Sequence, residues 1–403
     1  MASSVVTGLE RLLAEHCAPI KGARVGLLGN QATVDSRFRH AADLLHAAPE
    51  ITLTMLFAPE HGFRGVLQDM ETVSDEIDPY IKLPVRSLYG LTEATLRPAA
   101  EDLEPLDVLV VDLPDIGSRY YTFAQSLGYA MLTAAAVGTK VVVLDRPNPL
   151  GGVVFEGAAL TKQCRSFCGY APVANRHGLT LGELALMMQR GFGTGADAIP
   201  PIDCDLEVIR VQGWKREDYF DRTGLPWVLP SPNMPTLDTA IVYPGSCLFE
   251  GTELSEGRGT TKPLEMFGAP YIDGKAWAER VAEQGMALAG AICRPVVFSP
   301  KFQKYTDTLC GGVQLHITDR ATFQPFRWSL ALIAAAKQLY PDKFSWRKQP
   351  YEFLEHVPAI DLLYGSAQFR ESVDSGKPAG ELLGSLETFE SWFAEARQPF
   401  LLY

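Results

Sequence analysis

No stretch of the 403-residue chain reaches the roughly 18 consecutive apolar residues of a membrane-spanning helix, so no membrane insertion is expected. The start, MASSVVTGLERLLAEHC, lacks the basic flank and long apolar core of a signal peptide, and the expected location is the cytoplasm, with the periplasm as the alternative if a signal was removed. Positive charge is scarce: 36 Lys and Arg against 48 Asp and Glu leave a formal charge of −12. So acidic a chain is a poor partner for nucleic acid, and an anionic substrate has to be met by a few local Arg residues. Cysteine is sparse and scattered, at positions 17, 164, 168, 204, 247, 293 and 310. Cys164 and Cys168 lie close together, but no second pair completes a zinc pattern, which favours reduced structural thiols. The phosphate loop G-x-x-x-x-G-K-[ST], the zinc helix H-E-x-x-H and the nucleophile elbow G-x-S-x-G are all missing. The Gly191, Gly193, Gly195 run follows a helix rather than a strand and reads as a helix stop. No metal and no cofactor are expected.

What is present is an alternation of short apolar runs and helical stretches. Strands are expected at Ala23 to Gly29, Ile51 to Ala58, Asp107 to Leu113 and Lys140 to Leu144. Helices are expected at about 37–48 and 122–137 and from Gly178 onward. Continuous Val, Ile and Leu runs between helices imply parallel strands buried on both faces, that is, a Rossmann-like doubly wound α/β sheet. Pro- and Gly-rich segments follow at 227–236 and 243–265. A second, smaller α/β domain is expected from residue 267, with helices at 276–289 and 326–339 and strands at 295–299 and 312–317. The division is thus 1–266 for a catalytic domain and 267–403 for an auxiliary one.

The chemistry-bearing residues cluster after strand ends, where open α/β sheets bind ligands. Asn30 and Gln31 follow the first strand, and Glu60 and His61 follow the second. Asp112, Asp115, Arg119, Tyr120 and Tyr121 follow the third, and Asp145 and Arg146 the fourth. Glu60, between Pro59 and Gly62, reads as a general acid or as a carboxylate capping a turn, with His61 beside it. In the third-strand cluster one acid is expected to orient Arg119, and Arg146 is expected to fix a turn. The loop FEGTELSEGRGTT crowds Glu250, Glu253 and Glu256 together, which requires Arg258 or a ligand between them; the alternative is a solvated loop. Asn233, in the segment WVLPSPNMPT, joins the candidate binding residues. His177 reads as a turn residue ahead of its helix.

Taken in order, GLLGNQATVD, LFAPEHGFRG, PVRSLYG, DVLVVDLPDIGSRYYTF, VLDRPNPLGG, HGLTLGELA, PSPNMPT and FEGTELSEGRGTTKPLEMFGAP resemble the blocks of the bacterial exo-β-N-acetylmuramidase family. The resemblance runs from about Gly26 to Pro270. It implies a Rossmann-like catalytic domain, a C-terminal auxiliary domain and a cleft between them in which N-acetylmuramic acid is removed from the non-reducing end of peptidoglycan fragments. The family's acid/base glutamate falls on Glu60. One departure is Pro114, where the family usually carries Gln ahead of the Asp115 position; the loss of that amide bears on sugar specificity. Glycosidic cleavage also needs support for an oxocarbenium-like transition state, from Glu250 or from the substrate's own acetamido oxygen. For the lactyl carboxylate, Arg119 and Arg258 are the expected forks, with Arg64 behind them. Asn30, Asp115, Tyr121, Asn233 and Glu256 complete the expected binding set. Peptidoglycan-derived saccharides, taken up for recycling, are the expected partners. The rival readings are a metal-dependent hydrolase using His61, Asp112, Asp115 and His177, and a non-catalytic muropeptide-binding protein.

Overall fold

The computed structural model describes residues 5–65, 67–68, 71–72 and 74–403. Ten strands form two sheets among these residues. The larger sheet holds β1 (Arg24–Gly29), β2 (Thr52–Ala58), β3 (Glu76–Ile77), β4 (Pro84–Ser87), β5 (Val108–Asp112), β6 (Lys140–Leu144) and β7 (Leu206–Ile209), in the order β3-β4-β2-β1-β5-β6-β7. Every pairing is parallel except the short β3 against β4. β1, β5 and β6 are apolar and buried on both faces, as a doubly wound sheet requires. The chain winds outward from β1 in both directions, so a crevice is expected between the carboxyl ends of β1 and β5.

The second sheet is antiparallel: β8 (Met266–Ala269), β9 (Ala291–Phe298) and β10 (Cys310–Ile317), with β10 in the middle. The helices, in chain order, are α1 (Gly8–Ala14), α2 (Ala41–His46), α3 (Ala100–Leu103), α4 (Phe123–Val137), α5 (Leu181–Arg190), α6 (Leu237–Ser246), α7 (Gly274–Val281), α8 (Pro325–Leu339), α9 (Ala359–Tyr364), α10 (Gln368–Asp374) and α11 (Leu383–Ala396). Local signals explain several boundaries. Thr180 and Glu183 cap the start of α5 reciprocally, and Gly191, at φ 78°, stops it. The helix expected at 37–48 shrinks to α2 because the Asp35 carboxylate curls residues 37–39 into a turn, and His40 then caps Ala42. The helix expected at 276–289 stops at Val281, with a short 3₁₀ turn and Gly285 at φ 70° beyond it.

α6 lies inside a stretch that reads as loop, because Pro244 and Gly245 in its last turn look like breakers. Gly245 is there for packing: a Cβ on it would lie 1.9 Å from the Pro325 carbonyl oxygen, so only glycine lets α6 and α8 approach this closely. α8 is almost wholly buried from Pro325 to Ala336. One buried apolar cluster runs from one face of the large sheet through α4, α5 and α6 into the small sheet and the C-terminal helices. That shared core carries residues 247–265 and 341–358 to the carboxyl edge of the large sheet.

Candidate active site

β2 delivers Glu60. The strand ends at Ala58, and the chain turns so that the Gly62 N–H donates to the Pro59 carbonyl at 3.1 Å. His61 sits at φ 72°, a left-handed conformation costly for a side-chain-bearing residue and common at functional sites. Leu67 secures it: His61 Nδ1 lies 3.1 Å from the Leu67 carbonyl oxygen, and the Leu67 N–H donates to the His61 carbonyl at 3.4 Å. A proton on Nδ1 makes Nε2 the acceptor nitrogen. Glu60 is only 6% exposed and accepts the Thr122 hydroxyl at 2.8 Å from the foot of α4. Both residues line a cavity whose interatomic space, counting the part open to solvent, is about 530 Å³.

The facing side is built by later segments. Glu250, in the 3₁₀ turn that follows α6, accepts Arg258 Nη2 at 2.7 Å and the Tyr351 hydroxyl at 2.6 Å. Burial works against its ionised form. The positive charge of Arg258, the phenol of Tyr351 and the more distant Lys304 outweigh that and hold its carboxyl below the usual range. Arg258 also reaches Glu256 at 3.4 Å. Glu256 is pinned in turn by Lys304 at 2.9 Å, which donates as well to the Phe249 and Leu254 carbonyls. Charges of both signs therefore alternate from the cavity wall inward. Asn233 lines the cavity from the 227–236 segment and donates to the Gln68 side chain at 2.9 Å. Glu352 lines it beside Tyr351, and its carboxylate accepts the Tyr89 hydroxyl at 2.9 Å.

Two family models match the chain: the N-terminal part of exo-β-N-acetylmuramidase NamZ matches residues 25–238, and its C-terminal part matches 241–403. The chain belongs to the NamZ exo-β-N-acetylmuramidase family. It is 40% identical over 399 residues to the peptidoglycan β-N-acetylmuramidase NamZ of Bacillus subtilis strain 168, covering 99% of this chain and 91% of that one. Two crystal structures of DUF1343 family proteins from Bacteroides fragilis share the fold. One aligns with a TM-score of 0.88 at 32% identity over 99% of both chains. The other aligns with a TM-score of 0.72 at 28% identity over 100% of this chain and 99% of that one. The boundary between the two NamZ models falls at the start of α6, whereas the sequence division at 267 falls inside β8.

Within this NamZ framework the sequence candidates separate. Glu60, His61, Tyr121, Asn233, Glu250 and Arg258 line the one cavity. Glu256 stands behind it, holding Arg258. Arg119 is a correction: it is 1% exposed and gives its guanidinium to the carbonyls of Ala158, Val173, Leu363 and Tyr364 at 2.8–3.0 Å. Burial pushes its pKa down to about 10, and its work is to tie the 158–173 segment to α9. Nor does an acid orient it; Asp112 instead holds Arg146 at 2.5 and 3.0 Å. Asn30 is also a correction, being fully buried and spent on the Pro230 carbonyl and the Ala32 N–H. Arg64 pairs with Asp78 at 2.7 Å and lies over the Tyr80 ring, outside the cavity lining.

Asp115 faces a different, neighbouring cavity with Pro114 and Trp227, and is held by the Gly117 N–H at 2.7 Å and His177 at 3.5 Å. Among the described residues no three His, Cys, Asp or Glu side chains converge as a metal site, which leaves the hydrolase reading through His61, Asp112, Asp115 and His177 without a ligand set. All seven cysteines are free thiols. The sequence reading missed Thr122, Tyr351, Glu352 and Tyr89. Thr122 lies in a quoted block, and its hydroxyl at the foot of α4 was the available clue. Tyr351 and Glu352 lie past the matching blocks, and their one signal is the long irregular stretch between α8 and α9.

Proposed function

We propose that the chain is an exo-acting glycoside hydrolase that releases N-acetylmuramic acid from the non-reducing end of peptidoglycan fragments. The observation that carries this reading is a single cavity lined by two carboxyl groups in different settings: Glu60 accepts the Thr122 hydroxyl, and Glu250 accepts the Arg258 guanidinium and the Tyr351 phenol. Glycoside cleavage asks for two such different carboxyl groups. In this reading Glu60 gives its proton to the glycosidic oxygen as the bond to the anomeric carbon breaks. Glu250 faces the positive charge that spreads over the ring, and water adds at the anomeric carbon, its released proton restoring the acid form of Glu60. The pairing of Glu250 with Arg258 and Tyr351 favours its ionised form. Arg258 is the only Arg or Lys among the described residues lining the cavity. It is assigned to the lactyl carboxylate, the group that separates muramic acid from glucosamine. A charge-assisted bond of that kind contributes roughly 1.5–3 kcal/mol, or about tenfold to over a hundredfold in preference.

The test is a pair of chromogenic substrates, the β-N-acetylmuraminide and the β-N-acetylglucosaminide. Faster turnover of the muraminide, with free N-acetylmuramic acid as the product, is the expected result. Equal rates on both sugars, or binding without turnover, overturn the proposal.

A further inference from the structure

The carboxyl group of the cavity that the mechanism leaves unassigned is Glu352. It lines the same cavity as Glu60 and Glu250, is 7% exposed and is held by the Tyr89 hydroxyl. Its backbone is unusual. Tyr351 and Leu354 exchange N–H to carbonyl bonds at 3.0 and 3.1 Å, closing a two-residue hairpin turn. The two residues at the tip, Glu352 and Phe353, sit at φ 45° and 67°. Successive left-handed residues are the mark of a turn that Asn-Gly makes without strain and that Glu-Phe makes only at a cost. Surrounding contacts impose it: Tyr351 donates to Glu250, Tyr89 donates to Glu352, and the Phe353 ring meets Tyr89 edge-on at 5.6 Å. A turn needed only to reverse the chain has no use for a buried acid at its tip.

We propose that Glu352 is a specificity-determining residue that accepts the 4-hydroxyl of the terminal sugar and so confines the enzyme to chain ends. This rests on the exo-glycosidase reading above. In a 1,4-linked glycan only the non-reducing terminal residue carries a hydroxyl at C4; every internal residue has an ether oxygen there, with no proton to give. A carboxylate offers about four acceptor positions, enough for a phenol and a sugar hydroxyl together. Opposite an ether oxygen the same carboxyl oxygen meets a lone pair where the hydroxyl would have offered a proton. Sites built to hydrogen-bond a hydroxyl reject substrates lacking it by large factors, because the buried partner is left unmatched. The turn therefore gives a physical reason for attack at the end rather than within the strand.

The experiment compares a β-N-acetylmuraminide bearing a free 4-hydroxyl with its 4-O-methyl ether. For the wild-type protein the ether is expected to lose about 10²- to 10⁴-fold in kcat/KM. In Glu352→Gln, whose amide N–H can face an ether oxygen, kcat/KM for the free sugar falls and the ratio between the substrates shrinks at least tenfold. Glu352→Asn suits a left-handed backbone and serves as the structural control. It is expected to melt within a few degrees of wild type while losing the same discrimination. Wild-type protein that cleaves both substrates equally overturns the proposal, as do variants that keep full discrimination or lose activity only by unfolding. Failure of the exo-glycosidase reading is separable, since wild type would then release no N-acetylmuramic acid from either substrate.

Discussion

The two sides of the cavity use the same side-chain type in opposite ways. On the side built by the large sheet, Glu60 leaves a buried strand and accepts the Thr122 hydroxyl. On the side built after α6, Glu250 meets a guanidinium and a phenol. A guanidinium and a phenol donor beside a buried carboxyl favour its ionised form against the cost of burial. The lesson is that the balance of charged neighbours against burial, rather than residue type, sets the charge a buried carboxyl carries. The molecule repeats the point elsewhere. Glu156 is as buried as Glu250, but Arg327 stands 3.6 Å away and its pKa is pushed up to about 7 by desolvation.

The contrast breaks most decisively at Glu60. Glu60→Gln keeps the shape and the hydroxyl contact but has no proton to deliver, so turnover of natural disaccharide ends should fall about 10²- to 10⁴-fold. The loss should be smaller on an aryl glycoside, whose phenolate leaves with little protonation. Binding of N-acetylmuramic acid, read by calorimetry, should change little. Equal loss on both substrates together with early melting would move Glu60 into a structural role and take the acid from it.

Arg119 and Arg258 were one pair of candidates in the sequence, and the fold puts them in different trades. Arg119→Ala leaves four buried carbonyls without their donor. Charge-assisted bonds contribute roughly 1.5–3 kcal/mol each but are not additive, so a loss of about 3–5 kcal/mol in unfolding free energy is expected. The surviving folded protein should prefer the muraminide as strongly as before. Denaturant titration beside the two chromogenic substrates reads both quantities. A variant of unchanged stability and lost preference would restore Arg119 to the site.

That pair also marks the limit of legibility. Strand-end position was readable because β1, β2, β5 and β6 are continuous apolar runs, and it placed Glu60 and His61 at a carboxyl edge. Which way a side chain turns after the strand was not readable. Asn30 and Arg119 follow strand ends too, yet their partners, Pro230, Leu363 and Tyr364, lie about two hundred residues or more away. The facing side was half legible: the acid crowding in 250–258 demanded a cation, and Arg258 supplies it. Tyr351 and Glu352 carried no periodicity or motif, since their place depends on the core that packs α8 and α9 behind the site.

Arg258 gives the smallest and most discriminating prediction. Arg258→Ala removes the assigned partner of the lactyl carboxylate, so the muraminide preference should drop about tenfold to a hundredfold, mostly through KM. It also removes the charge that opposes burial at Glu250. The sign follows from linkage. A carboxyl whose folded pKa is depressed stabilises the protein above its unfolded pKa and loses that contribution as pH falls through the folded value. With Arg258 in place, Glu250 stays ionised through the mildly acidic range, and the protein keeps that contribution there. Without it, desolvation has only Tyr351 and the distant Lys304 to oppose it. The pKa of Glu250 then rises, and the acidic limb of the kcat/KM profile should move to higher pH. Arg258→Lys separates the two roles: a point charge can keep Glu250 ionised, yet it lacks the planar fork that grips a carboxylate. The lysine variant should therefore keep the wild-type acidic limb and still lose part of the sugar preference. An alanine variant whose acidic limb does not move would mean that Tyr351 and Lys304 alone hold Glu250 as the anion, and the division between the two carboxyl groups would no longer rest on the ion pair.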